Sequence, residues 1–120
     1  MITRKNMIIP IFDYKLTILI FDKWEELRGI IPDNEIDVES RAITLSRHGA
    51  SLVAVDAKYG SSIVHEAEHI KNNLWIHIGY NPQKDNDEVD AYVITYIYDK
   101  IVNVYYKHLG SKGVLARDTF

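Results

Sequence analysis

Residues 61–78, SSIVHEAEHIKNNLWIHI, have the clearest periodicity in the chain and organise the elements around them. Apolar residues recur in this stretch at the spacing of one α-helical face. These residues are Ile63, Ala67, Ile70 and Leu74. Ser61 or Ser62 is a suitable N-cap, so we predict a helix that begins there and ends near His77.

A second long helix is predicted further along the chain, after a loop that contains Gly79, Asn81 and Pro82. It begins within residues 85–87, where acidic side chains suit the positive end of the helix dipole. It ends near His108, before Gly110. Its apolar stripe is formed by Val93, Ile97, Ile101 and Val104.

Short β-type runs precede both helices. Residues 7–21 are predicted to form one or two strands, and 16–21 is the clearer part. Asp22 is predicted to cap a short helix over residues 23–28, which Gly29 ends. Residues 30–40 are predicted to be a loop.

Two further strands, 42–46 and 52–56, flank a turn at His48-Gly49, and residues 58–60 end the β region. This order predicts one α+β domain over residues 1–120. Its two helices pack on a small, mostly antiparallel sheet.

The composition excludes several functions. The chain has 120 residues, a net charge of -3 and no cysteine, so disulfides, thiolate metal sites and cysteine nucleophiles are excluded. The modest charge favours neither nucleic acid nor a membrane surface as partner. Pro10, Asp13 and Lys15 interrupt the apolar N-terminal run, so we expect no secretory signal, no membrane span and a cytoplasmic protein.

The segment His65-Glu66-Ala67-Glu68-His69 carries the main functional prediction. On a helix, residues four apart share a face, so His65 and His69 can bind one metal ion together. Glu66 lies roughly 100° further around the helix, where it can accept a proton from water without being a ligand. The apolar stripe lies nearly opposite the histidines. The alternative is two solvated histidines beside an acid.

A catalytic zinc site usually has a third protein ligand. Glu88 is the predicted third ligand, because a returning helix would bring its first turn beside the histidines. Asp85, Asp87 and Asp90 compete with it within one turn, and each also has a simple interpretation as helix N-terminal charge.

Tyr92, Thr95 and Asp99 share a helix face with Glu88. Tyr92 could donate a hydrogen bond to a developing oxyanion or be a half-buried core tyrosine. Asp99 could orient a ligand histidine or simply be exposed. For His48, His77 and His108, positions in a turn or near helix ends are the favoured interpretation.

HEAEH followed by Glu88 resembles the gluzincin branch of the zincin metallopeptidases. Together with WIHIGY and NDEVDAY, it also resembles small uncharacterised phage and prophage proteins that carry HExxH. The resemblance implies a minimal zincin-like fold and a Zn²⁺ ion held by His65, His69 and Glu88. It also implies Glu66 as the general base and a peptide or protein substrate, with residues 52–56 in the place of the substrate-binding strand.

The predicted function is therefore a zinc metallopeptidase. One alternative is a non-enzymatic phage-type protein, structural or host-interacting, with a structural or vestigial zinc site. A metal-free binding module is the third possibility.

Overall fold

The computed structural model describes residues 1–82 and 88–111, which form four strands and two α-helices. The strands are β1 (Ile2–Ile9), β2 (Tyr14–Phe21), β3 (Ala42–Arg47) and β4 (Ala50–Asp56). The α-helices are α1 (Ile63–Ile78) and α2 (Glu88–Ser111). Three short 3-10 helices join them: Trp24–Leu27, Asp33–Glu35 and Ala57–Ser62. The predicted α+β class is confirmed.

The sheet has the order β1-β2-β4-β3. The two outer pairs are antiparallel, and the central pair, β2 with β4, is parallel. The parallel pair arises because the chain leaves β2, places β3 at the edge and returns through the His48-Gly49 turn. The sheet is thus mixed, with two antiparallel pairings out of three. Gly49 has a φ of 76°, as this tight turn requires.

The strand order changes one expectation about substrate binding. Residues 52–56 belong to β4, which is paired on both sides, with β2 and with β3. The strand that precedes α1 therefore offers no free edge to a peptide. Within the described residues, β3 is the edge strand next to it in the sheet.

Two apolar clusters cover the two faces of the sheet. Both α-helices pack on one face, where the predicted stripes of α1 and α2 join alternate side chains of β2 and β4. Trp24 and Leu27 cover part of the other face, against Leu19 and Phe21. This alternation explains the near-continuous apolar sequence of β2, since both of its faces are covered.

Several predicted boundaries differ from the observed ones. β1 begins at Ile2, not near residue 7, because pairing with β2 recruits a polar stretch that has no apolar alternation. The segment after β2 is a 3-10 helix, and its N-terminal amides, from Asp22 and Lys23, donate to the Glu26 carboxylate. Asp22 is therefore not the cap.

The two predicted long helices are confirmed, but their ends differ. The 3-10 helix Ala57–Ser62 leads directly into α1, and Ser62 has a helical conformation and makes no side-chain capping bond. α1 ends at Ile78, and Gly79 caps it in a left-handed conformation with φ 73°. α2 continues through Gly110 to Ser111, past the predicted end at His108. Its predicted start within residues 85–87 lies outside the described residues. In the part of the chain described, neither helix is sufficiently long and apolar for a bilayer span.

Candidate metal centre

His65 and His69 meet on the exposed face of α1. Their Nε2 atoms are 3.0 Å apart, and the ring planes are inclined by 82°. The helix produces this contact directly, because side chains four residues apart project from the same face. The apolar residues that anchor α1 lie on its opposite side, in the main core. The predicted histidine pair is therefore formed in the structure.

The separation of the two nitrogens suits a shared zinc ion. Two ligands at about 2.0–2.1 Å from a tetrahedral zinc are about 3.3–3.4 Å apart. The observed 3.0 Å is within a few tenths of an ångström of that value. Imidazole nitrogen is also a preferred zinc ligand. At 3.0 Å the two rings are within hydrogen-bond distance of each other, and a small separation of the rings would place both nitrogens as two ligands of one zinc ion.

Glu66 lies beside the pair, but its surroundings are different. Its side chain is only 5% exposed, and its Oε1 accepts a 2.6 Å hydrogen bond from Thr44 Oγ1. Thr44 is in the middle of β3, on the sheet face that the helices cover. This hydrogen bond connects Glu66 of the HEAEH segment to the edge strand β3. Sequence reasoning missed Thr44, because nothing local shows that β3 lies beside α1.

A groove of about 460 Å³ runs between β3 and α1. Its α1 side includes His65, Glu66 and His69, and its β3 side includes residues 42–46. Glu35 also lines it. The histidine pair and the buried acid thus open onto a single surface depression that follows the edge strand.

A chain of hydrogen bonds supports the far end of this groove. Asn73, which lines the groove, donates to the Tyr14 hydroxyl and, at 3.2 Å, to the carbonyl of Arg47. Tyr14 is fully buried and lies 2.5 Å from the Ser51 hydroxyl, which in turn lies 2.7 Å from that of Ser46. These bonds connect α1 to β2, β3 and β4 at this end of the groove.

The predicted third ligand is placed differently. Among residues 1–82 and 88–111, no three histidine, aspartate or glutamate side chains come close enough together to hold a metal ion. Glu88 is the first residue of α2, and the ideal helix turns it about 160° away from Asp90. Asp85 and Asp87 lie outside the described residues. The structure therefore brings His65 and His69 into contact and places Glu66 on the same groove, but it does not bring Glu88 to them.

Asp90 has a clear structural role instead. It accepts hydrogen bonds from Trp75 Nε1 at 2.6 Å and from Lys71 Nζ at 2.9 Å, and Lys71 also contacts Glu68. Burial acts to raise the pKa of Asp90, but the bonds from Trp75 and Lys71 outweigh it and lower that pKa. Burial acts to lower the pKa of Lys71, but the two carboxylates outweigh it and raise that pKa. This network fastens the start of α2 to α1.

The remaining predicted side chains lie elsewhere. Tyr92 is 71% exposed and borders an apolar hollow beside the turn between β1 and β2. Asp99 is exposed on α2. His77 stacks edge-on against His48, with ring centroids 4.7 Å apart. His108 lies near the end of α2, as predicted, and is fully buried.

Comparisons with protein-family models, with curated protein sequences and with solved structures found no significant match.

Proposed function

We propose that this protein is a zinc-dependent hydrolase that cleaves peptide bonds, with the cytoplasm as its compartment. The observation that carries the proposal is the pair of Nε2 atoms on His65 and His69, 3.0 Å apart, beside the buried Glu66. A metal-binding pair next to a carboxylate that is not itself a ligand suits metal-assisted hydrolysis. The groove supplies room for a substrate at that point.

His65 and His69 would hold the ion through Nε2. When bound, zinc supplies a Lewis acid that makes a coordinated water more acidic and polarises a carbonyl. Glu66 acts as general base. The hydrogen bond from Thr44 to Oε1 orients the carboxylate, and the proposed proton acceptor is the other oxygen, Oε2.

The edge strand supports a peptide as substrate. In the described structure, β3 pairs with β4 along one side, and its other side borders the groove. A free strand edge presents backbone donors and acceptors that an extended peptide can match. A peptide bound along β3 would pass beside the histidine pair.

Glu88 is proposed as the third ligand because of its position in the sequence after HEAEH. For Glu88 to reach the ion, the first turn of α2 would have to move towards the histidines, away from the position in which Trp75 and Lys71 hold Asp90. Calorimetric zinc titration tests this separately from catalysis. We expect Glu88→Ala to weaken zinc binding at least tenfold, in line with loss of a ligand or of its support. An affinity equal to that of the unaltered protein would remove Glu88 from the ligand set.

The central experiment compares zinc content and peptide cleavage in Glu66→Gln. The amide keeps the shape of the side chain and can still accept from Thr44, so zinc binding should persist. Cleavage of a mixed peptide library, followed by mass spectrometry, should fall by about 10²–10⁴-fold, as for loss of a general base.

Glu68→Gln is the matched control. Glu68 lies within the same segment, but it is exposed and contacts Lys71, so this variant should keep both zinc and cleavage. Full turnover by Glu66→Gln would refute the general-base role. Zinc binding by the unaltered protein without any cleavage would favour the alternative of a non-enzymatic phage-type protein with a structural zinc site.

A further inference from the structure

A second hollow lies on the sheet face opposite the groove. Its volume is about 360 Å³, and three cationic residues from three different strands line it. They are Arg4 on β1, Lys15 on β2 and Arg47 on β3. The strand registers place all three on the same face as Leu19, away from the helices.

Among the described residues, none of these three cations forms an ion pair with a carboxylate. The ion pairs of the described structure involve the N-terminal amine, Lys58, Lys71 and His108 instead. The acidic 3-10 helix Asp33–Glu35, which follows Pro32, makes no ion pair with these cations either. The protein carries a net charge of -3, so a face with three unpaired cations contrasts with the chain as a whole. Such a face favours an anionic partner.

Arg4 is held in position on this face. Its Nε donates to Asn6 Oδ1 at 3.3 Å, and Thr17 donates to the same oxygen at 3.1 Å. The bond through Nε leaves the two terminal nitrogens of the guanidinium, which suit a carboxylate with two parallel hydrogen bonds. The bond to Asn6 also brings the guanidinium towards the row of Asn6 and Thr17.

The spacing of the cations indicates an extended ligand. Lys15 and Arg47 both pair with Ala50, from opposite sides, so their backbones are about 9–10 Å apart with a small side chain between them. The row of Asn6 and Thr17 lies two residues further along the strands, about 7 Å away. Along the strands, alternate side chains of an extended peptide repeat at that same interval, and the long side chains of Arg4 and of the peptide's glutamate bridge the distance across the sheet from β1 to β4.

The walls of the hollow are aliphatic. Leu45, Leu52, Ile30 and Pro32 contribute to them, and they can pack on side-chain methylenes. No aromatic side chain lines the hollow within the described ranges, so it offers no ring on which nucleic acid bases could stack. The combination favours a peptide over a nucleic acid strand.

We propose that this hollow docks an extended acidic segment of a partner protein, with carboxylates at alternate residues. One carboxylate lies between Lys15 and Arg47, and the next one meets Arg4. This surface is on the opposite side of the sheet from the histidine pair, and the proposal does not depend on zinc or on hydrolysis.

Fluorescence anisotropy tests the proposal with a labelled peptide that alternates glutamate and leucine. We expect binding that weakens with added salt and that is lost when glutamine replaces glutamate. Arg4→Gln should raise Kd about tenfold or more, the effect of removing a charged hydrogen bond. Lys5→Gln is the matched control, because Lys5 is exposed on the adjacent position of β1 but points to the other face; its Kd should change less than about twofold.

A charge exchange gives a second, independent readout. The double variant Lys15→Glu with Arg47→Glu should no longer bind the glutamate peptide. It should instead bind a peptide that alternates lysine and leucine. Both substituted residues are exposed, so circular dichroism should show an unchanged fold. The proposal is overturned if the glutamate peptide does not bind, if Lys5→Gln weakens binding as much as Arg4→Gln, or if oligouridylate displaces the peptide and binds more tightly.

Discussion

Replacing Thr44 with valine tests whether β3 holds the proposed general base in place. The two side chains have nearly the same shape, so the change removes the 2.6 Å hydrogen bond to Glu66 and little else. Glu66 is only 5% exposed, and water replaces the lost donor poorly. A hydrogen bond to a charged group contributes about 1.5–3 kcal/mol, so the free energy of unfolding should fall by that amount. For a domain of this size, Tm should fall by roughly 5–10 °C.

Urea unfolding of Thr44→Val, Glu66→Gln and the double variant measures the coupling between the two side chains. We expect a coupling energy of about 1–3 kcal/mol. Thr17→Val is the control, because Thr17 is also a strand threonine but bonds the neutral side chain of Asn6. The Thr17→Val substitution should lower the free energy of unfolding by less than about 1 kcal/mol. A coupling near zero, or equal costs for the two valine variants, would refute the positioning of Glu66 by β3.

Two further predictions concern the attachment of α2. The pKa of Asp90 is lowered, so its contribution to stability is present above its ordinary value of 3.8 and is lost as the pH falls through the lower folded-state value. Lys71, with a raised pKa, loses its contribution only as the pH rises above 10.5. Thermal melts should therefore show Asp90→Asn less stable than the unaltered protein at neutral pH, and the gap should narrow below pH 3.8; a constant gap would contradict the assignment. His108→Leu removes hydrogen bonds to Thr3 and Asp22 inside the fold and should cost about 1–3 kcal/mol in urea unfolding, whereas an unchanged midpoint would show that these bonds contribute little.

Local periodicity predicted much of the fold. The stripe that begins at Ile63 predicted α1, and the same helical spacing predicted that His65 and His69 would meet. The apolar run of β2 predicted a strand covered on both faces. These features depend on residues a few positions apart, so the sequence contains them directly.

The arrangement of the strands could not be predicted in this way. Placing β4 between β2 and β3 depends on contacts between segments far apart in the chain, and local spacing does not encode them. The same limit hid Thr44, which meets Glu66 only because β3 lies beside α1. It also hid the burial of His108, whose partners, Thr3 and Asp22, are far away in the sequence.

The choice among the acids near the start of α2 shows a different limit. From the sequence, Glu88 is the predicted ligand and Asp90 a competitor within the same turn, and both also suit a helix N-terminus. The structure gives Asp90 two hydrogen-bond donors, Trp75 and Lys71. Composition alone cannot show which carboxylate an indole and an ammonium group will reach. The role of Glu88 therefore remains a prediction.

The most direct test of the proposed site is an anomalous difference map from crystals grown with zinc, collected at the zinc absorption edge. We expect a peak within ligand distance of Nε2 of both His65 and His69, at the groove between α1 and β3, and no such peak in crystals of the double variant His65→Ala with His69→Ala. A zinc peak at another position, such as His48 and His77, with none at the first pair, would contradict it.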